Sequence, residues 1–157
     1  NSWKYIPDDD YKSPVTVIRT LADIISKGGN FLLGIGPDSM GRFPGPAVAC
    51  LREVGKWMKV NGEAIYDTQP IEPQASGSVR FTSRESDVYA IVLPDEEREA
   101  PAARVRVAGI APAPGSELQL VGTPVAVPWT PTQDGFVIDL GNTVVEPAPA
   151  WVLRFSI

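Results

Sequence analysis

Two hydrophobic rhythms divide this chain. Val15, Ile18, Leu21, Ala22 and Ile25 recur at spacings of three and four, the stripe of an amphipathic helix. Ser13 supplies an N-cap acceptor. Pro14 sits in the first turn, where its missing N–H costs nothing, and Gly28-Gly29 offers a left-handed stop. The pattern predicts a helix over 14–27. Residues 30–35 (NFLLGI) follow as a short, nearly all-apolar run, which predicts a strand buried on both faces. Gly36-Pro37 breaks that run, and PDSMGRFPG reads as a loop. Val48, Leu51, Val54 and Met58, with Trp57 beside them, predict a second helix over 46–60 that closes at Asn61-Gly62. A helix, a buried strand and a helix in succession follow a βα-barrel or doubly wound pattern. The segment 69–77 (QPIEPQASG) is extended and proline-studded, and marks the expected boundary.

Past Gly77 the period becomes two. Val79-Phe81, Val88-Ala90-Val92, Val105-Val107, Leu118-Leu120, Phe136-Ile138-Leu140 and Trp151-Leu153-Phe155 alternate with outward positions. Turn clusters at Pro94-Asp95, Ala111–Gly115 and Asp134-Gly135 separate them. Short strands at this spacing predict an antiparallel β-sandwich over 78–157. The fold class expected is therefore α+β, with residues 1–68 obeying one construction rule and residues 78–157 another.

Composition narrows the function. A net charge of -5 argues against a nucleic-acid partner, which needs a basic surface. No run approaches the roughly 20 apolar residues of a membrane span. Hydrophobic content of 43% is enough for a packed core. Histidine is absent, which excludes Ser-His-Asp and Cys-His chemistry within the chain and removes the commonest metal ligand. No cofactor and no metal are expected. Cys50 cannot form an internal disulfide, being the only cysteine, and reads as a small hydrophobe in the second helix. The start, Asn1-Ser2-Trp3, carries neither the basic stretch nor the apolar run of a secretory leader, and leaves the compartment open.

Any chemistry must then come from carboxylates, lysine, tyrosine or serine. Asp8, Asp9 and Asp10 form an acidic run in which neighbours raise one another's pKa. Asp9 is therefore a catalytic candidate, set against a solvated loop that complements the dipole of the helix beginning at Pro14. Asp38 follows the predicted strand and is the better-placed carboxylate. The competing role is to bond its own turn. Trp129, between Pro128 and Thr130, is the expected exposed aromatic of the sandwich and a possible surface sugar contact. Tyr89, Phe136 and Trp151 are further aromatic candidates, with a core position favoured for Tyr89 and Phe136 by their alternating apolar strands. Glu63 reads as a structural cap or salt-bridge partner.

Four stretches in order carry a family resemblance: Ser2-Trp3-Lys4-Tyr5 with DDDYKSP, SKGGNFLLGIGP over 26–37, Gly41-Arg42-Phe43-Pro44, and VGKWMKVNGEAIY over 54–66. Together they resemble the α-L-fucosidases of glycoside hydrolase family 29, whose pattern reads SWGY, SKGGNLLLNIGP, a GRIP-like turn and IGxWLxxNGEAIY. Lys4 stands where the pattern has glycine, and Gly34 where it has asparagine. The resemblance implies that residues 1–68 are a terminal part of a (β/α) barrel, one buried strand and two helices, ahead of the family's C-terminal sandwich. It implies retaining cleavage of terminal L-fucose from glycans, by an aspartate nucleophile and a second carboxyl about 5 Å away. In the family both lie upstream of the SWGY loop, so neither is expected among residues 1–157. The resemblance places Trp3 and Tyr5 on a loop at the barrel mouth, as a substrate-binding wall for the sugar or as aromatics that pin the loop to the sandwich. A closed barrel needs about 250 residues. The helices and the strand are therefore expected to seek partners, either the remaining barrel or copies of the chain. The expected ligand is a fucosylated glycan or another carbohydrate, and the alternative role is a non-catalytic module that buttresses a barrel or binds sugar. Secretion or a periplasmic site is implied by the resemblance alone.

Overall fold

The structure is a computed structural model, described here for residues 4–7, 9–94, 101–141 and 147–157. Helix α1 runs Pro14–Ser26 and α2 Gly45–Asn61, with a 3-10 turn over Gly62–Ala64. Among the described residues nine strands follow: β1 Gln69–Ser76, β2 Val79–Arg84, β3 Asp87–Val92, β4 Arg104–Ala108, β5 Leu118–Leu120, β6 Ala126–Val127, β7 Trp129–Thr132, β8 Gly135–Asp139 and β9 Trp151–Ser156.

The start and stop of α1 follow from local chemistry. The Ser13 hydroxyl accepts from the backbone N–H of Thr16 at 3.1 Å. At the other end Gly28 takes φ +75°, its N–H donates to the Ile25 carbonyl, and the Gly29 N–H donates to the Ile24 carbonyl. This is a Schellman closure, in which glycine takes the left-handed position without strain. Helix α2 begins one residue before Pro46 and ends one residue beyond the sequence expectation.

The strands form two sheets. One has the order β1-β2-β3-β9-β5-β6 and the other β4-β8-β7, and all recorded pairings are antiparallel. Val79, Phe81, Val88, Leu118, Leu153 and Phe155 from the large sheet pack face to face with Val105, Val107, Phe136 and Ile138 from the small one. The sandwich expected from the period-two pattern is thus present.

The helices sit on the other face of the large sheet. Ile18 and Ala22 of α1 and Trp57 of α2 bury against Tyr89, Ile91 and Val152, with Ala64 and Ile65 between them. Polar ties reinforce this layer. The Trp57 indole N–H donates to the Ala150 carbonyl at 2.9 Å, the buried Thr82 hydroxyl donates to the Ala64 carbonyl at 2.8 Å, and Arg80 Nε meets Asp23 Oδ1 at 2.6 Å. The molecule therefore has three layers, and β3 and β9 are covered on both sides.

Two sequence expectations change. The segment 69–77, expected to be a proline-studded boundary, is mostly edge strand β1, paired with β2 and interrupted between Pro70 and Ala75. Edge strands tolerate proline because only one side of the backbone needs ladder bonds. The segment 30–35, expected to be a strand buried on both faces, joins no ladder among the described residues. Its exposure alternates: Phe31, Leu33 and Ile35 are partly covered, while Leu32 is 81% exposed. A strand needs neighbours to bond its backbone and cover its second face, and among the described residues neither sheet lies beside it.

Candidate functional site

Outside the two cores lies an open cleft of about 300 Å³. Three pieces of chain build it. The N-terminal loop contributes Lys4 to Ile6 and Asp9 to Lys12. The segment 31–36 forms the floor, and Val17 of α1 with Ala47, Cys50 and Leu51 of α2 closes the back. The loop is held close because Gly36 lacks a side chain. A Cβ there would meet the Tyr5 backbone nitrogen at 2.4 Å, well inside contact distance. The glycine of the GIGP stretch thus lets residues 4–5 and 36 lie backbone against backbone.

The back wall is apolar by helical period, whereas the loop brings charge. Leu51 is 39% exposed here and Tyr5 also 39%, so each places an apolar surface on the opening. The floor presents Phe31, Leu33 and Ile35 by strand alternation. Among the described residues, no hydrogen bond reaches the backbone of residues 30–37. That row of amides and carbonyls stands next to the cleft without ladder partners among the described residues.

The candidate residues separate. Tyr5 and Asp9 line the cleft. Asp9 Oδ1 accepts from the Asp10 backbone N–H at 3.0 Å, so part of its bonding capacity is used inside its own loop. Trp3 and Asp8 lie outside the described residues. Asp38 lies outside the cleft lining, in the turn after Pro37. Its Oδ1 accepts from the backbone N–H groups of Arg42 at 2.9 Å and Met40 at 2.8 Å, and its Oδ2 accepts from Arg42 Nε at 2.9 Å. Those bonds, the Arg42 amide first, hold the Asp38 carboxyl below the usual carboxylate range. An acid committed to three donors and kept ionised cannot deliver a proton near neutral pH.

Trp129 is half-buried rather than exposed. Its ring stands edge-on to Phe136 with centroids 5.9 Å apart, and its indole N–H donates to the Ser116 carbonyl at 3.2 Å. The flanking proline and threonine suggested exposure, but the ring closes the edge of the sandwich core. Glu63 lies 3.9 Å from Arg154 of β9 and links the end of α2 to the large sheet.

Sequence reasoning missed Tyr11 and the role of Cys50. Both line the cleft. Desolvation first, and the Asp9 charge second, push the Tyr11 hydroxyl above its ordinary value, so it stays neutral at physiological pH. Desolvation likewise pushes the Cys50 thiol up, which leaves little thiolate for nucleophilic attack. The helical phase of Cys50, one turn from Ala47 and beside Leu51, was the available signal. Among the described residues no group of three or more Cys, Asp or Glu is gathered to hold a metal. Among those residues also, no helix is long and apolar enough to cross a membrane.

The cleft thus offers an aromatic edge, an apolar floor and carboxylates on one side, beside a strand-like row that has no backbone bond among the described residues. Known proteins are similar to this chain in sequence and fold. The family model described as alpha-L-fucosidase matches residues 1–63. An alpha-L-fucosidase of Branchiostoma floridae is 31% identical over 94% of this chain and 33% of its own length. The tissue alpha-L-fucosidase of Bos taurus is 41% identical over 59% of this chain and 20% of its own. Among solved structures, alpha-L-fucosidase isoenzyme 1 from Paenibacillus thiaminolyticus superposes with a TM-score of 0.82 at 26% identity, over 98% of this chain and 37% of that one. The chain spans about a third of the length of the relatives that match it nearly end to end. It belongs to the α-L-fucosidase family, glycoside hydrolase family 29, and corresponds to that family's C-terminal part.

Proposed function

We propose that this chain supplies a strand, the flanking helix pair and the C-terminal sandwich of a retaining α-L-fucosidase, and that hydrolysis of terminal α-L-fucosides requires a complementary barrel part bearing the two reacting carboxyl groups. The observation that carries this reading is the segment 30–37. Its backbone makes no hydrogen bond among the described residues, its alternate side chains Phe31, Leu33 and Ile35 are partly covered beside α1 and α2, and Leu32 is exposed. A strand-like segment beside two helices, with no ladder partner among the described residues, has the form of one stave of a barrel. Tyr5, and Trp3 just before it, would present aromatic faces to the sugar at the mouth. The sandwich acts as a buttress: its large sheet shares a buried core with both helices and so fixes the angle at which the strand is offered.

The carboxylates of the chain do not replace the missing pair in this reading. Asp38 is committed to its turn, and Asp9 bonds within its loop. Purified 157-residue protein is expected to give no turnover of an aryl α-L-fucoside, and addition of a family barrel part lacking this region is expected to restore it. Steady hydrolysis by the chain alone would overturn the proposal, as would failure of every such complementation.

The same unbonded row favours a second partner when no barrel part is present, namely another copy of this chain paired along residues 31–35. Unbonded strand edges with exposed apolar side chains associate in this way. Light scattering at high concentration is expected to give a dimer or larger species that Leu32→Lys returns to monomer. A sharp monomer peak for the unmodified chain at that concentration would exclude it.

A further inference from the structure

No further inference is drawn: the strongest candidate, the exposed apolar pair Met40 and Phe43 on the turn built around Asp38, carries none, because nothing in the structure shows what covers it.

Discussion

Strand β3 (DVYAIV) and the segment 30–35 (NFLLGI) are similar short apolar runs with opposite fates. In β3 every residue after Asp87 is buried. β2 and β9 bond its two edges, Val88, Ala90 and Val92 face the small sheet, and Tyr89 and Ile91 face the helices. The segment 30–35 lies beside the helices, neither of its edges is bonded among the described residues, and Leu32 is exposed. The difference lies in what surrounds each run rather than in the run itself. An apolar six-residue stretch states a demand for two neighbours and two covering layers. Whether the demand is met depends on chain far away in sequence, as with β9, more than 50 residues beyond β3.

The comparison can be broken most directly by paired truncation. Leu153, fully buried in β9, should cost about 2–5 kcal/mol on conversion to alanine, the usual range for a core leucine. Leu32→Ala should change stability by less than about 0.5 kcal/mol, as for surface positions. Urea denaturation of both variants at a concentration that keeps the chain monomeric measures the contrast. Equal losses would mean that the segment 30–35 is as well packed as the sandwich.

A smaller test probes how completely β3 is enclosed. The Tyr89 hydroxyl is buried without a hydrogen-bond partner among the described residues, between the large sheet and the helical layer. Burial first, and the Glu63 charge second, push its pKa up, so it remains a neutral phenol. An unsatisfied buried hydroxyl costs about 1–3 kcal/mol, so Tyr89→Phe should stabilise the fold by about 1 kcal/mol. A loss of stability in the thermal melt would reveal an unrecognised partner and a less sealed layer.

The smallest effect concerns the tie between α1 and the sheet. Lys27 first and Arg80 second hold the Asp23 carboxyl below its ordinary value. A lowered folded pKa contributes stability that is fully present above the unfolded value of about 3.9 and is lost as pH falls through the folded one. Asp23→Asn should therefore be less stable than the unmodified chain at neutral pH, with the gap closing below about pH 4. Asp23 is partly exposed, so solvent screening keeps the gap small. A gap that stays constant from pH 7 to pH 3 would show that the ion pairs contribute nothing.

Much of the architecture was legible because it rests on local rules. The Ser13 cap, the Gly28 closure and the six alternating strands of the sandwich all lie where the pattern placed them. β1, β6 and β7 escaped. β1 and β7 carry prolines that read as breaks, and β6 is two residues long. The site was less legible. The cleft joins residues 4–12, 31–36 and α2, which no single stretch of pattern links. The Asp38 turn could be read in its GPD context, whereas the half-burial of Trp129 depends on Phe136 and Ser116.

The sequence alone determined the helix stripes and caps, the change from helical to strand period near Gly77, and four motifs that mark a fucosidase C-terminal part. These depend on residues within a few positions of one another, where backbone geometry and side-chain chemistry act directly. Only the tertiary structure decided that the large sheet carries a second core against the helices, that the proline-rich 69–76 is an edge strand, and that residues 30–37 lie beside a cleft with no backbone bond among the described residues. Each of those outcomes depends on which distant surfaces meet, and burial and ladder bonding belong to the pair of surfaces rather than to either one.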